Sequence, residues 1–519
     1  MTGPARKVVL IVLDGWGIGK KGDPGNCVEQ ANIPNFTKYW NGFPHCENDA
    51  SGEAVGLPAG SQGNSEVGHL HMGAGRIVWQ PFEKINREIK NGEFFKNRVL
   101  KKAMENAKAK NSRLHLMGLC SDEGVHAHVN HLLALLEMAK KEGLGKEQVF
   151  VHFFSDGRDV PEKSAEKYVK AIEEKCAKLG LGGIASVCGR FYSMDRDNNW
   201  ERTQKAYELL TEGKGKTAKS ALGAIQGAYE GNVKTDYYIE PTAIIGENGK
   251  PKAVVEDSDS VVFFNFRTDR VRQLTRALVA EKFNSFKRVK RPKIFFACFG
   301  SSDSGVKVET AFHETRVKST FGEVVAKHGL KQLRVAETEK YAHVTYFFNA
   351  QVERPFDGEE REMIPSAKVP SYDLKPEMSV REIAESASAK ISEGKFAFVL
   401  INFANGDLVG HSANIPAIVK GIEAMDKALG TVVEACLANG YAAIITADHG
   451  SAEEKLYSDG SPKPSHSTNR VPFIVVSNDK AVAGAKPAGG GQKDVAPTML
   501  EIMGLPQPKE MTGKSLLSK

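Results

Sequence analysis

The 519-residue sequence predicts an α/β protein of two α/β domains, one discontinuous and interrupted by the other. Three observations carry that expectation. Apolar runs of strand length alternate with helix-period segments almost throughout, the pattern of α/β layering. Carboxylates and histidines suited to metals cluster towards the two ends of the chain, whereas arginine-bearing strand ends fall between 156 and 270. Two apolar runs at opposite ends of the chain each finish in an aspartate beside further ligand residues. In a parallel sheet, ligands gather beyond the carboxyl ends of strands, so residues remote in sequence converge there. The predicted outer domain is residues 1–79 with 316–519, and the inserted domain is 80–315.

Each element follows from its residues, taken in chain order. Lys7-Val-Val-Leu-Ile-Val-Leu-Asp14 is a buried strand that delivers a carboxylate at its end. Gly15-Trp-Gly17-Ile-Gly19 lacks the Gly-x-Gly-x-x-Gly spacing of a dinucleotide loop and is rejected as one. Leu57-Pro-Ala-Gly-Ser-Gln-Gly63-Asn64-Ser65-Glu66-Val-Gly-His69 is a glycine-rich loop opening a helix, where backbone donors and partial positive charge suit a phosphate. The plain alternative for Ser65 is a helix N-cap. Helical spacing covers 131–140 and 162–179, and strands are expected at 148–154, 183–188, 260–266 and 293–299. Gly300-Ser-Ser-Asp-Ser-Gly305 has linker composition. A strand at 396–403 leads into Asn405-Gly-Asp407-Leu-Val-Gly-His411, and Ala442-Ala-Ile-Ile-Thr-Ala-Asp448-His449-Gly450 is a further strand with a ligand-bearing turn. Ser465-His466-Ser467 follows.

Composition excludes several classes. A net charge of +6 fits an anionic small molecule but is not the concentrated basic block of a nucleic-acid arm. Seven scattered cysteines without a Cys-x-x-Cys pair suggest neither a disulfide framework nor a thiolate zinc site. No apolar run approaches the ~20 residues of a membrane-spanning helix. The opening residues run straight into the first strand, so no signal sequence is expected. The expected location is cytoplasmic, with no membrane or nucleic-acid partner.

Asp14, Asp407, His411, Asp448, His449 and His466 supply enough donors for two metal ions. Asp407 and His411 share a face of one helical turn. Carboxylate with imidazole favours manganese, zinc, iron or cobalt over calcium, and the hard donors lean towards manganese. Singly these motifs read as turns; together, each after a strand of the same polarity, they read as a metal site. A serine hydroxyl is a poor nucleophile until a base or metal removes its proton, which coordination of Ser65 would achieve. Asp156-Gly-Arg158-Asp159, Arg190, Arg196, Arg267 and Arg270 present guanidinium forks suited to phosphate and carboxylate, with a solvated salt-bridge network as the alternative. Lys340 either neutralises charge at a phosphate centre or is an ordinary surface lysine.

Over Lys7 to Ser518 the chain resembles the 2,3-bisphosphoglycerate-independent phosphoglycerate mutases of the alkaline phosphatase superfamily. The most specific stretches are Val-Leu-Asp14-Gly-Trp-Gly, Gly-Asn-Ser65-Glu-Val-Gly-His, Ser-Asp-Glu-Gly-Val-His126-Ala-His, Asp-Gly-Arg158-Asp159, Met-Asp-Arg196-Asp, Ala-Glu-Thr-Glu-Lys340-Tyr-Ala-His-Val and Thr-Ala-Asp448-His449-Gly. The resemblance implies a discontinuous alkaline-phosphatase-like domain interrupted by a transferase-like, substrate-binding one. It implies one ion held by Asp407, His411 and His466 and another by Asp14, Ser65, Asp448 and His449, most often manganese, with magnesium or cobalt as alternatives. It further implies phosphorylation of Ser65, and substrate contacts from His126, Arg158, Asp159, Arg190, Arg196, Arg267, Arg270 and Lys340. The implied activity is interconversion of 3-phosphoglycerate and 2-phosphoglycerate by a monomer, with Asp159 or His126 moving the proton. Three positions depart from the family pattern: Gly406 replaces a commoner proline, Ser451 a usual asparagine, and no histidine stands two residues before His466. The rivals are a hydrolytic phosphatase, a sugar-phosphate mutase and a catalytically dead metal-binding scaffold.

Overall fold

The apolar runs form two eight-stranded sheets in the computed structural model, which describes residues 6–300, 305–313 and 316–517. The chain divides into two compact units, Met1–Gln80 with Arg316–Lys519, and Pro81–Thr315. The two-domain α/β expectation holds. Residues 1–5, ahead of the first strand, and 301–304, within the linker-like run, lie outside the described residues. Strands β1 (Lys7–Leu13) and β2 (His45–Asp49) open the first unit. The second unit carries β3 (Leu114–Leu119), β4 (Val149–Ser155), β5 (Gly183–Gly189), β6 (Lys216–Ala218), β7 (Thr242–Ile244), β8 (Ser260–Phe263), β9 (Phe295–Cys298) and β10 (Glu309–Thr310). The first unit then resumes with β11 (Gln332–Glu337), β12 (Glu359–Ile364), β13 (Phe398–Phe403), β14 (Tyr441–Thr446), β15 (Val471–Val476) and β16 (Gly490–Gly491).

In the first unit the strand order is β12-β11-β13-β1-β14-β15-β2-β16, parallel from β12 through β14 and antiparallel at β15. A central parallel strand is covered on both faces, which is why β1 reads as an unbroken apolar run. Val9, Ile11 and Leu13 pack on one side with Ile418, Ile422 and Leu429 of the helix Ile415–Ala438. Val8, Leu10 and Val12 pack on the other with Met499 and Leu500 of the helix Val495–Met503. Leu13 is in register with Phe403 of β13, and Val12 with Thr446 of β14. Three neighbouring strands therefore end at one level, and the segments that follow them carry Asp14, Asp407 and Asp448.

In the second unit the order is β10-β9-β8-β3-β4-β5-β7-β6, with only β7 antiparallel to its neighbour β5. Three elements are shorter than the sequence suggests, among them β9, which covers Phe295–Cys298 of the expected 293–299. The helix expected from 162 starts at Ala165 because the remote Asp236 carboxylate accepts the backbone N–H groups of Ser164 (2.7 Å) and Ala165 (2.8 Å), capping it there. The strand expected through 266 stops at Phe263, since Leu119 N–H donates to the Asn265 side-chain oxygen (3.0 Å) instead of extending the backbone ladder. No helix among the described residues is long and apolar enough to cross a membrane.

Candidate metal centre and arginine cluster

Asp407, His411 and His466 form one group of metal-type donors whose ligand atoms all lie within 4.8 Å of one another. His466 Nε2 stands 3.0 Å and His411 Nε2 3.3 Å from Asp407 Oδ1. Each imidazole is oriented from behind. His466 Nδ1 is 2.8 Å from Gly63 O, His411 Nδ1 3.1 Å from Pro464 O, and His449 Nδ1 3.2 Å from Gly450 O. A carbonyl only accepts, so each Nδ1 carries a proton and Nε2 is the atom each ring can offer a metal once that nitrogen is unprotonated. Asp407 Oδ1 and Asp448 Oδ2 are buried and accept no hydrogen bond among the described residues. Orphaned carboxylate oxygens facing imidazole Nε2 atoms fit a divalent cation, which would displace any proton held there.

Ser65 begins the helix Ser65–Ala74, and its Oγ lies 3.2 Å from Asp14 Oδ1, 3.1 Å from His449 Nε2 and 2.7 Å from Lys340 Nζ. The N-cap is Asn64, whose side chain accepts Val67 N–H (3.1 Å), so Ser65 is released from the capping role the plain alternative gave it. Lys340 also donates to Asp14 Oδ1 (2.9 Å) and Asp407 Oδ2 (2.6 Å). It is no surface lysine. Burial opposes its charge, but Asp14, Asp407 and Asp448 outweigh burial and hold its pKa well above the ordinary lysine value. Burial likewise opposes charge on His449, and Asp448, Asp14 and Asp407 reverse that, raising its pKa to about 9. Gly15 adopts φ +75°, and a Cβ on Gly406 would sit 2.6 Å from Asp14 O. The loops after β1 and β13 touch backbone to backbone, which accounts for glycine at 406.

The second unit gathers the arginines at its own strand ends. Arg190, 1% exposed, donates to Asp156 Oδ1 and Asp159 Oδ2, both at 2.6 Å. Asp156 also accepts the backbone N–H groups of Arg158 and Asp159 and the Ser121 hydroxyl. Arg196 and Arg267 are exposed and share Asp269. That part matches the salt-bridge alternative. Arg270 does not: it is buried, has no carboxylate partner among the described residues, and leaves its Nε unbonded. Burial, then Arg196 and Arg190, lower its pKa, the mark of like charges converging. Burial, then Arg190, brings His126 down to about 4, so it is a neutral imidazole at physiological pH.

Thus Asp14, Ser65, Lys340, Asp407, His411, Asp448, His449 and His466 lie together in the first unit, and His126, Arg158, Asp159, Arg190, Arg196, Arg267 and Arg270 all lie in the second. Sequence reasoning assigned no role to His69, Asn402 or Asp156, although His69 and Asp156 stand within the motifs it singled out. Asn402 donates to Asp14 Oδ2 (2.7 Å), and His69, bonded to Ser65 O and Asn402, lies 3.3 Å from Asp448 Oδ2. The only signal for Asn402 was a polar residue in an otherwise apolar strand.

Comparison with known proteins decides the family. The chain is 48% identical to a 2,3-bisphosphoglycerate-independent phosphoglycerate mutase of Moorella thermoacetica, over 99% of both chains. It is 50% identical to one of Clostridium acetobutylicum, over 98% of this chain and 99% of that one. The chain belongs to the 2,3-bisphosphoglycerate-independent phosphoglycerate mutases. Residues 85–303 match the family model described as BPG-independent PGAM N-terminus, and residues 222–505 match that described as Sulfatase. The latter match spans Asp407 to His466, and it accords with the alkaline phosphatase superfamily. A solved structure of Leishmania mexicana phosphoglycerate mutase at low cobalt concentration shares 32% identity with a TM-score of 0.59, covering 99% of this chain and 98% of that one. Family, fold and donor set together suit divalent metal ions.

Proposed function

We propose that this mutase interconverts 3-phosphoglycerate and 2-phosphoglycerate through a phosphoserine on Ser65, without 2,3-bisphosphoglycerate. The observation that carries the mechanism is the setting of Ser65 Oγ, a helix-N-terminal hydroxyl within 3.2 Å of Asp14 and His449 and 2.7 Å from a permanently charged lysine. Two divalent ions, manganese first and magnesium or cobalt otherwise, would be held by Asp407, His411 and His466 and by Asp14, Ser65, Asp448 and His449, and would acidify the serine hydroxyl and draw charge from phosphoryl oxygens.

Ser65 Oγ attacks phosphorus in line with the glycerate oxygen, so one P–O bond forms as another breaks. Lys340 stabilises the charge that develops on the phosphoryl oxygens without changing its own protonation. The departing glycerate oxygen takes up a proton and the accepting hydroxyl loses one, transfers we assign to His126 or Asp159. Arg158, Arg190, Arg196, Arg267 and Arg270 hold the glycerate by its carboxylate while it turns; its other hydroxyl then attacks the phosphoserine phosphorus as the Ser65 P–O bond breaks, which regenerates the serine. The protein acts as a cytoplasmic monomer on these small molecules, with no nucleic-acid or membrane partner.

Enolase-coupled turnover of 3-phosphoglycerate, with 2,3-bisphosphoglycerate excluded, tests this. Activity should vanish with chelator and return with manganese. Release of inorganic phosphate instead would make the protein a phosphatase.

A further inference from the structure

Two buried charges just beyond Asp448 and His449 are not used by the mechanism above. Glu453 is 1% exposed and accepts from four donors on three chain segments, one of them its own loop. Its Oε2 takes Gly17 N–H (2.9 Å) and Ser451 N–H (2.8 Å); its Oε1 takes the Ser467 hydroxyl and Asn469 Nδ2 (3.0 Å). The backbone is cut away to admit it: a Cβ on Gly17 would lie 2.2 Å from its carboxyl carbon, and one on Gly450 2.5 Å from Oε1. Lys455 is fully buried and donates to Gly410 O (3.3 Å), Ser465 O (3.0 Å) and the Ser451 hydroxyl (2.9 Å).

Each bond ends within three residues of a donor of the metal centre. Gly17 follows Asp14, Gly410 precedes His411, Ser451 follows His449, and Ser465 and Ser467 flank His466. We propose that Glu453 and Lys455 are positioning residues that bind the four ligand loops into one frame and couple the two metal sites. Two of the three Lys455 acceptors, Gly410 O and Ser465 O, adjoin His411 and His466, so Lys455 acts chiefly on the ion held by Asp407, His411 and His466, whereas Glu453 acts on both ions. The physical reason is tolerance: coordination demands donor positions held to a fraction of an ångström, and loops hold them only when their backbones are pinned. This rests on the two-metal reading above.

The test is titration of the metal-free full-length protein with Co2+ and with Mn2+, following Co2+ absorption and stoichiometry, with His411→Ala marking one site's transition. Lys455→Met keeps bulk without charge and should weaken the ion of Asp407, His411 and His466 about 10- to 100-fold and alter its Co2+ spectrum, with a smaller effect on the other ion. Glu453→Ala should weaken both. Glu453→Gln retains one oxygen for Gly17 and Ser451, so it should restore the ion of Asp14 and Asp448 and leave the other weak. Variants that bind both ions with wild-type affinity and spectra would overturn the proposal. So would a loss of both ions by Lys455→Met that tracks a fall in metal-free melting temperature, which is general destabilisation. Wild-type protein that takes up fewer than two ions would instead defeat the two-metal reading itself.

Discussion

Replacing Lys340 by methionine separates three quantities that usually fall together. The ammonium lies 2.6–2.9 Å from Asp14, Ser65 and Asp407 and is 3% exposed. Because the carboxylates hold its pKa far above neutrality, it is a fixed charge rather than a proton carrier. Its removal leaves buried carboxylates uncompensated in the metal-free protein, a loss of about 3–5 kcal/mol. At roughly 2–4 °C per kcal/mol for a domain of this size, the metal-free melting temperature should fall by about 6–20 °C. Metal affinity should move the other way, since a cation that occupies Asp14 and Asp407 oxygens no longer competes. Turnover should fall by about 10²–10³ in kcat, the usual effect of removing one preorganised donor from a developing oxyanion. Melting in chelator, metal titration and the enolase-coupled assay read the three separately. Wild-type kcat in saturating manganese would refute the role of Lys340, and weaker metal binding would refute the electrostatic account.

Ser65→Ala should reduce turnover to background and abolish the phosphoryl adduct seen by mass spectrometry after substrate is added; a fully active variant would exclude the phosphoserine. Asp407 pushes the His411 pKa up and the carboxylates hold His449 at about 9, so each ion must displace protons. Apparent metal affinity should therefore rise as pH increases from 6 towards 9, and calorimetry in buffers of different ionisation heat should detect proton release; pH-independent binding would contradict this. With the folded pKa of His449 raised, its stabilisation of the metal-free protein is complete below its unfolded value and is lost as pH rises through about 9. Arg270→Met removes a buried guanidinium with no carboxylate partner, and loss of charge-assisted hydrogen bonds worth about 1.5–3 kcal/mol should raise KM roughly 10- to 100-fold; unchanged KM would place Arg270 outside the substrate site. Burial holds His126 at about 4, so its imidazole resonances should not titrate by NMR above about pH 5, and an ordinary midpoint near 6.5 would overturn that assignment.

The strand-borne donors were legible because parallel strands announce themselves. Lys7–Leu13 and Tyr441–Thr446 are apolar on both faces, and the first carboxylate after each can only lie at the sheet edge. Ser65 was legible from its loop, but not the reason it is free to react, which is that Asn64 performs the capping. Lys340 was ambiguous by residue chemistry, because its partner Asp14 is 326 residues away and no local pattern marks it. Glu453 and Lys455 were invisible for the same reason, since buried charges look like surface charges in one dimension. Their trace was the unexplained glycines at 17 and 450, whose missing side chains make room for Glu453. Asp236 likewise set a helix start from 72 residues away.

The geometry of the first sheet makes a dication site almost unavoidable once these residues end its strands. Neighbouring strands are about 4.8 Å apart, so carboxylates following β13, β1 and β14 are forced into each other's fields. Asp14 and Asp448 have fully buried side chains, and Asp407 is 5% exposed, so water cannot screen them. Three unpaired charges there would cost several kcal/mol each. The metal-free protein meets this with its own cations, Lys340 and protonated His449. The two differ in what they can do when metal arrives. Lys340 cannot surrender its proton near neutral pH and stays as a fixed charge beside Ser65. His449, with a pKa of about 9, gives up its proton to become a ligand. The same carboxylate cluster therefore selects one residue as permanent electrophile and the other as exchangeable donor, and the distinction comes from side-chain chemistry rather than position.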